Sequence, residues 1–232
     1  MNISTKTHTK TKAFNGNNKT LKKIDLFLKL FVAAMIISVS VSISGCGGGV
    51  IGTSGYQAEY TPAYVELQKG WEDFKLGRYT TAIEYFNNTL AYQHTSEQEI
   101  DAHVGLGYAK TRSTGIADAK DHFDKAKDFD KDAKIGMAGY WLSTAQKDNM
   151  QKAIDLLTKM SLDSPDYVYQ PGHAETGVNN AKAHALMAAL YNYVGNYEKA
   201  TAHAKKAREL NIPPKEPPYE SVTQIVDWVM TP

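Results

Sequence analysis

Four stretches of this chain repeat one alanine-centred pattern, and that repeat constrains the fold more than any other feature. They are GRYTTAIEYFNNTL (77–90), GIADAKDHFDKAKDFD (115–130), NMQKAIDLLTKM (149–160) and GNYEKATAHAKKAREL (195–210). In each, an alanine is followed four and seven residues later by further core-type positions: Ala82/Phe86/Thr89, Ala119/Phe123/Ala126, Ala153/Leu157/Met160 and Ala200/Ala204/Ala207. Positions i, i+4 and i+7 share one face of an α-helix. A small residue at the first of them lets a neighbouring helix approach closely, and larger ones fill the space beyond. The intervals are 37 residues from Ala82 to Ala119, 34 from Ala119 to Ala153 and 47 from Ala153 to Ala200. Strand signals are scarce from Thr61 onward, so the expectation is an all-α chain of repeated helix pairs.

Further matches lie upstream of each alanine. Twelve residues before it stand Gly70, Gly107 and Ala188, all small, with Trp141 as the exception in the third segment. Leu106-Gly107, the turns Gly77-Arg78-Tyr79 and Gly195-Asn196-Tyr197, Tyr191, and Pro165 twelve residues after Ala153 complete the set. In these residues the stretch from Pro62 to about Pro213 resembles the tetratricopeptide repeat family, whose unit is a 34-residue antiparallel helix pair. The resemblance implies a right-handed solenoid of about four repeats, with tyrosines of the turns packed between helices. It implies binding of a protein or peptide segment in a groove lined by the first helix of each repeat. By position the groove receives Tyr64, Asp101, Tyr108, Arg112, Leu142, Lys182, Asn192 and Tyr193. Leu67, Trp71, Phe74, Val104, Ile135, Ala138, Ala185 and Ala189 fall there too, but Trp71 and Phe74 sit one residue out of register and read better as core. The basic and asparagine set by which some members clamp a terminal carboxylate is absent. An apolar or aromatic segment is the expected ligand.

A solenoid needs caps, because its last repeat exposes an apolar face. Ser221 with Gln224 has the form of a capping box, and Val222, Ile225, Val226 and Val229 make one apolar stripe after it, so a C-terminal capping helix is expected. At the other end Thr61-Pro62 offers an N-cap and a first-turn proline. The interval of 47 leaves extra residues within DYVYQPGHAETGVNN (166–180). A loop of that length is either functional or a tolerated surface insertion, and the sequence leaves both open.

The N-terminal part has a different character. Before Cys46 stand seven lysines and one acid, Asp25, while the rest of the chain carries 19 basic and 24 acidic side chains. That acidic body argues against nucleic acid as a partner. The apolar run LFVAAMIISVSVSI (30–43) rises about 21 Å as a helix, short of the ~30 Å hydrocarbon core. Basic flank, short apolar run and small-residue end read as a secretory signal, and Lys29 weighs against extending the run into an uncleaved anchor. Ile43-Ser44-Gly45-Cys46 resembles the lipobox of bacterial lipoproteins. It implies a signal peptide over 1–45, lipidation of Cys46 and membrane attachment through that lipid. The alternatives are a signal anchor and a chance cysteine in a linker. Residues 46–60, rich in glycine, form a tether ahead of a repeat domain over 61–230. Gly47 and Gly48 are not acidic, which by the same resemblance points to the outer membrane of the cell envelope.

No catalytic or metal grammar accompanies these features. The seven histidines are scattered without HExxH spacing, and His173-Ala174-Glu175 lacks the cysteine pair of a zinc deaminase. The alternating AKDHFDKAKDFDKDAK reads as a solvated helix face. No phosphate loop and no GxSxG occur. With no enzymatic motif or cofactor signal, the two resemblances imply a non-enzymatic lipoprotein scaffold or adaptor with no cofactor. A glycan- or small-ligand-binding lipoprotein and an enzyme accessory subunit are the other readings.

Overall fold

Thr61 starts the first helix as its place before a proline predicts. Its hydroxyl accepts the N–H of Tyr64 at 3.3 Å, and Pro62 takes the first helical position, where no N–H is needed. The computed structural model describes residues 61–211, together with Thr223 and Val226. Within them the chain is all-helical, without a strand. The elements are α1 (Pro62–Lys75), α2 (Tyr79–Ala91), α3 (Ser96–Ser113), α4 (Ile116–Ala126), α5 (Lys131–Ser143), α6 (Lys147–Thr158), α7 (Asn180–Val194) and α8 (Tyr197–Leu210). One 3-10 turn, Ala174–Thr176, lies between α6 and α7. The four repeated segments coincide with the even-numbered helices.

Local chemistry sets these boundaries. Thr95 and Gln98 form a reciprocal capping box at α3, with bonds of 3.2 and 3.0 Å. Asp130, Asn179 and Asn196 cap α5, α7 and α8 by accepting from Ala133, Lys182 and Lys199. Gly77 and Gly195 close the first and last pairs with φ of 74° and 86°, a backbone region that favours glycine. Each helix packs chiefly on its neighbours in sequence, and α1, α3, α5 and α7 also touch in succession.

Close approach between the pairs depends on two buried phenylalanines clasped by glycines. A Cβ on Gly70 of α1 or Gly105 of α3 would stand 2.5 or 2.4 Å from the Phe86 ring. Phe123 is held likewise by Gly107 of α3 and Gly136 of α5, at 2.5 and 2.3 Å. Both rings are fully buried, so each fills the space that two missing side chains leave open. Gly70 and Gly107 are the small residues expected upstream of the repeat alanines, whereas Gly105 and Gly136 were not singled out by the pattern.

Two expectations change in detail. Tyr79 packs edge-on against Phe74 with centroids 5.2 Å apart, but Tyr197 is 68% exposed. In the fourth repeat Asn192 holds the position of Phe74 and offers no ring to pack on. Trp71 and Phe74 belong to the core, 6% and 3% exposed, with Trp71 edge-on to Phe86. Helix α6 stops at Thr158, well before Pro165, and Ser161 has a φ of 66° in the turn that follows. Near the C-terminus Val226 is helical and buried, packed with Ala181, Ala185, Ala188, Ala204 and Ala207 of the last pair. The remaining residues of the expected capping helix lie outside those described, as does everything before Thr61.

Substituting Gly136→Ala should lower stability by about 1–3 kcal/mol through overpacking, despite the ~1 kcal/mol that alanine gains in a helix. In a Phe123→Leu background the same change should cost clearly less, because the smaller side chain yields. Thermal melting of the four proteins of this double-mutant cycle checks the coupling, and additive effects would contradict it.

Candidate functional site

The long connection between α6 and α7 does not stand off the surface. Its middle runs as an extended segment across the odd-numbered helices, and its side chains alternate. Tyr167, Tyr169, Pro171 and His173 are buried or half-buried, while Val168, Gln170, Gly172 and Ala174 face solvent. Period-two alternation of this kind marks an extended segment with one face on a surface.

Asp132, in the first turn of α5, anchors the segment. Its carboxylate is fully buried and accepts the Tyr169 hydroxyl at 2.5 Å, the Gly172 N–H at 2.8 Å and the His173 N–H at 2.9 Å. The Tyr108 hydroxyl donates to the Asp132 carbonyl at 2.8 Å, so two tyrosines converge on one residue. Burial, and then the neighbouring Asp132, pushes the Tyr108 phenol well above its ordinary value. The Asn180 side chain accepts the Tyr169 N–H at 2.9 Å.

His173 closes the far end of the segment. Its ring stacks on Trp71 with centroids 3.8 Å apart and planes within 10°, and its Nε2 lies 2.8 Å from Asp101. The Trp71 indole N–H donates to the same Asp101 oxygen at 3.0 Å. Burial disfavours the charged imidazole, but the Asp101 bond, helped by Asp132 and Glu175, raises His173 above its usual value. A planar imidazole therefore lies over an indole face beside a carboxylate, an arrangement in which ion pairing and cation–π attraction both favour its charged form.

Past His173 the contacts change sign. Arg112 donates through Nη2 to the Thr176 carbonyl at 2.7 Å, and Lys182 donates to the Gly177 carbonyl at 2.9 Å. Burial pulls Arg112 down to about 10 and, with Arg112 nearby, lowers Lys182. The Arg112 Nε and Nη1 atoms are buried without a hydrogen-bond partner.

The expected groove residues divide accordingly. Asp101, Tyr108, Arg112 and Lys182 all hold the chain's own segment or its anchor. Tyr108 is only 1% exposed and reaches solvent nowhere in this arrangement. Leu142, Asn192 and Tyr193 remain half-buried towards the α5–α7 side, where the Tyr193 hydroxyl donates to the Ala145 carbonyl. Tyr64 is half-buried on α1. Cys46 lies outside the described residues. Tyr169 and His173 were not assigned to a site from sequence, although Tyr-x-Tyr-x-Pro-x-His at alternate positions carried the signal; Trp71 read better as core than as groove, and Asp132 lies in the stretch expected to be a solvated face but is fully buried.

The scattered histidines also pair. His103 and His122 meet through their Nδ1 atoms at 3.1 Å, and His184 and His203 at 3.0 Å. Both pairs are 19 residues apart and join the two helices of one repeat, in the second and the fourth. His184 and His203 also place Nε2 at 2.9 and 3.2 Å from the Tyr167 and Asp163 carbonyls, at the start of the long connection. Burial pushes His122 and His203 down to about 4. No group of three metal-ligating side chains occurs among the described residues. Nor, among them, is any helix long and apolar enough to cross a membrane. A scan against protein-family models, a search of curated proteins and a search of solved structures each return no match.

The depressed histidines give a signed pH dependence. Below their ordinary value of 6.5 the unfolded chain takes up protons that the folded pairs refuse. Stability should therefore fall as pH drops from 6.5 to about 4, and melting temperatures across that window measure it. With His122→Gln and His203→Gln together the fall should be shallower, and an unchanged fall would contradict the assignment.

Proposed function

We propose that this chain is an exported bacterial lipoprotein whose folded part is a tetratricopeptide-like right-handed solenoid of about four helix pairs, acting as a scaffold or adaptor in envelope assembly or secretion. The lipid on Cys46 would tether the repeat domain through residues 46–60, with the outer membrane as the compartment. The face of α1, α3, α5 and α7 would hold a segment of a partner protein. No catalytic step is assigned to it.

One observation carries the binding part of this reading: that face already accommodates an extended segment, the chain's own residues 167–173, by side-chain insertion and backbone hydrogen bonds. A surface that takes one extended segment has the shape and the donors and acceptors to take another. The reading as a glycan site draws less support, because Tyr108 and Tyr169 are buried and the Trp71 face is covered by His173. The anchoring part is supported by the Ile43-Ser44-Gly45-Cys46 sequence after a short apolar run.

Two measurements on the protein in its membrane test the two parts. Mass spectrometry should find an N-terminus at Cys46 carrying an acyl mass, and Cys46→Ser should abolish it; an intact segment 30–45 without lipid would refute the lipoprotein reading. Photo-crosslinkers placed at Leu142 and Tyr193 should give a discrete partner band that one at the outward-facing Phe129, 74% exposed, does not. Identical products from all three sites would refute the groove.

A further inference from the structure

We propose that residues 167–173 are a displaceable internal ligand, and that the groove's outside partner is an extended segment bearing an aromatic residue and, four positions on, a flat cation. This rests on the groove reading above and adds the partner's chemistry and the mode of competition.

The partner's chemistry follows from what the groove gives its internal occupant. At one point Tyr169 is 2% exposed, its hydroxyl on the Asp132 carboxylate. Four residues on, the His173 ring lies flat on Trp71 and bonds to Asp101. Between these points the Gly172 and His173 N–H groups satisfy the rest of Asp132, a backbone contact that most residues could make. Asp101 and Asp132 both receive donors from the occupant, and Asp130 lies close enough to act on His173. A groove lined by these carboxylates and an indole selects an aromatic hydroxyl and a planar cation over an acidic segment. Arginine meets the second requirement at least as well as histidine.

Displaceability follows from how the occupant is held. It has no ladder of backbone hydrogen bonds, and its outward residues, Val168 at 60% exposure among them, make no core. Beyond it the chain is tied to the helices at Arg112 and Lys182 only through the Thr176 and Gly177 carbonyls. Gly177, at a φ of 73°, sits where the segment turns into α7 and gives the backbone a pivot. An internal ligand competes at an effective concentration of order mM, so an outside segment succeeds only by binding better or by local abundance.

The test uses a fluorescent peptide of the internal sequence, DYVYQPGHAET, and the full chain with and without Tyr169→Ser and His173→Ser. These substitutions remove the internal side chains and leave Trp71, Asp101 and Asp132 intact. Anisotropy should show the peptide binding the substituted chain, and the unmodified chain roughly tenfold more weakly or not at all. Arginine in place of the peptide's histidine should bind at least as tightly, and alanine roughly tenfold more weakly. Absence of binding to the folded substituted chain, or equal binding to both chains, overturns the proposal. Should the substituted chain lose its helicity, hydrogen exchange on the unmodified chain decides. Gly172 and His173 amides exchanging faster than those of Leu106 and Met137, at a rate insensitive to low denaturant, support it, and exchange only through global unfolding overturns it. The groove reading fails separately, when crosslinkers at Leu142 and Tyr193 give no partner distinct from that at Phe129.

Discussion

A carboxylate with no exposure to water has to be satisfied from within, and Asp132 is such a group. Leaving it unpaired would cost several kcal/mol. Its acceptors are filled by the Tyr169 hydroxyl and two backbone N–H groups, all from the connection between α6 and α7. That requirement brings a segment 37 to 41 residues away in sequence onto the face of α5. The rest of the site follows. Once Gly172 and His173 are on Asp132, the imidazole reaches Trp71 and Asp101, and the chain beyond lies over Arg112.

The helices supply the platform on which this can happen. Phe123, clasped between Gly107 and Gly136, sets how closely α5 approaches α3, and thereby how Tyr108 meets the Asp132 carbonyl. Phe86 does the same between Gly70 and Gly105 and buttresses Trp71, whose indole N–H holds Asp101 in place for His173. Core packing and site geometry thus share residues. The same helix, α3, carries one glycine of each clasp, Gly105 and Gly107, and three of the expected groove positions, Asp101, Tyr108 and Arg112.

The helix pairs were legible because Ala82, Ala119, Ala153 and Ala200 repeat with core positions at i+4 and i+7, a local periodicity that survives without knowledge of contacts. The cap at Thr61 was equally local, whereas Asp130, expected on a solvated helix face, instead caps α5. Gly105 and Gly136 were not legible, since a helical glycine is meaningful only once the ring opposite it is known. The histidine pairs were hidden although their 19-residue separation recurs, because only the turn between two helices brings such positions together. The connection over 166–180 was readable as unusual in length but not in placement. Its alternating Tyr167, Tyr169, Pro171 and His173 marks an extended segment, yet the partner carboxylates, Asp132 and Asp101, lie in other helices. For the same reason Tyr108, placed by position as a groove residue, belongs to the core beneath the extended segment.

Residues 167–173 lie across the odd-numbered helices, and the contact of His173 with Trp71 is the most specific sign of that placement. Proton NMR of the full chain measures this directly. Nuclear Overhauser contacts between the Trp71 indole and the His173 ring, with the His173 ring protons shifted upfield by the indole, are the predicted result. His173 ring protons at solvent-like shifts and without contact to Trp71 would contradict it.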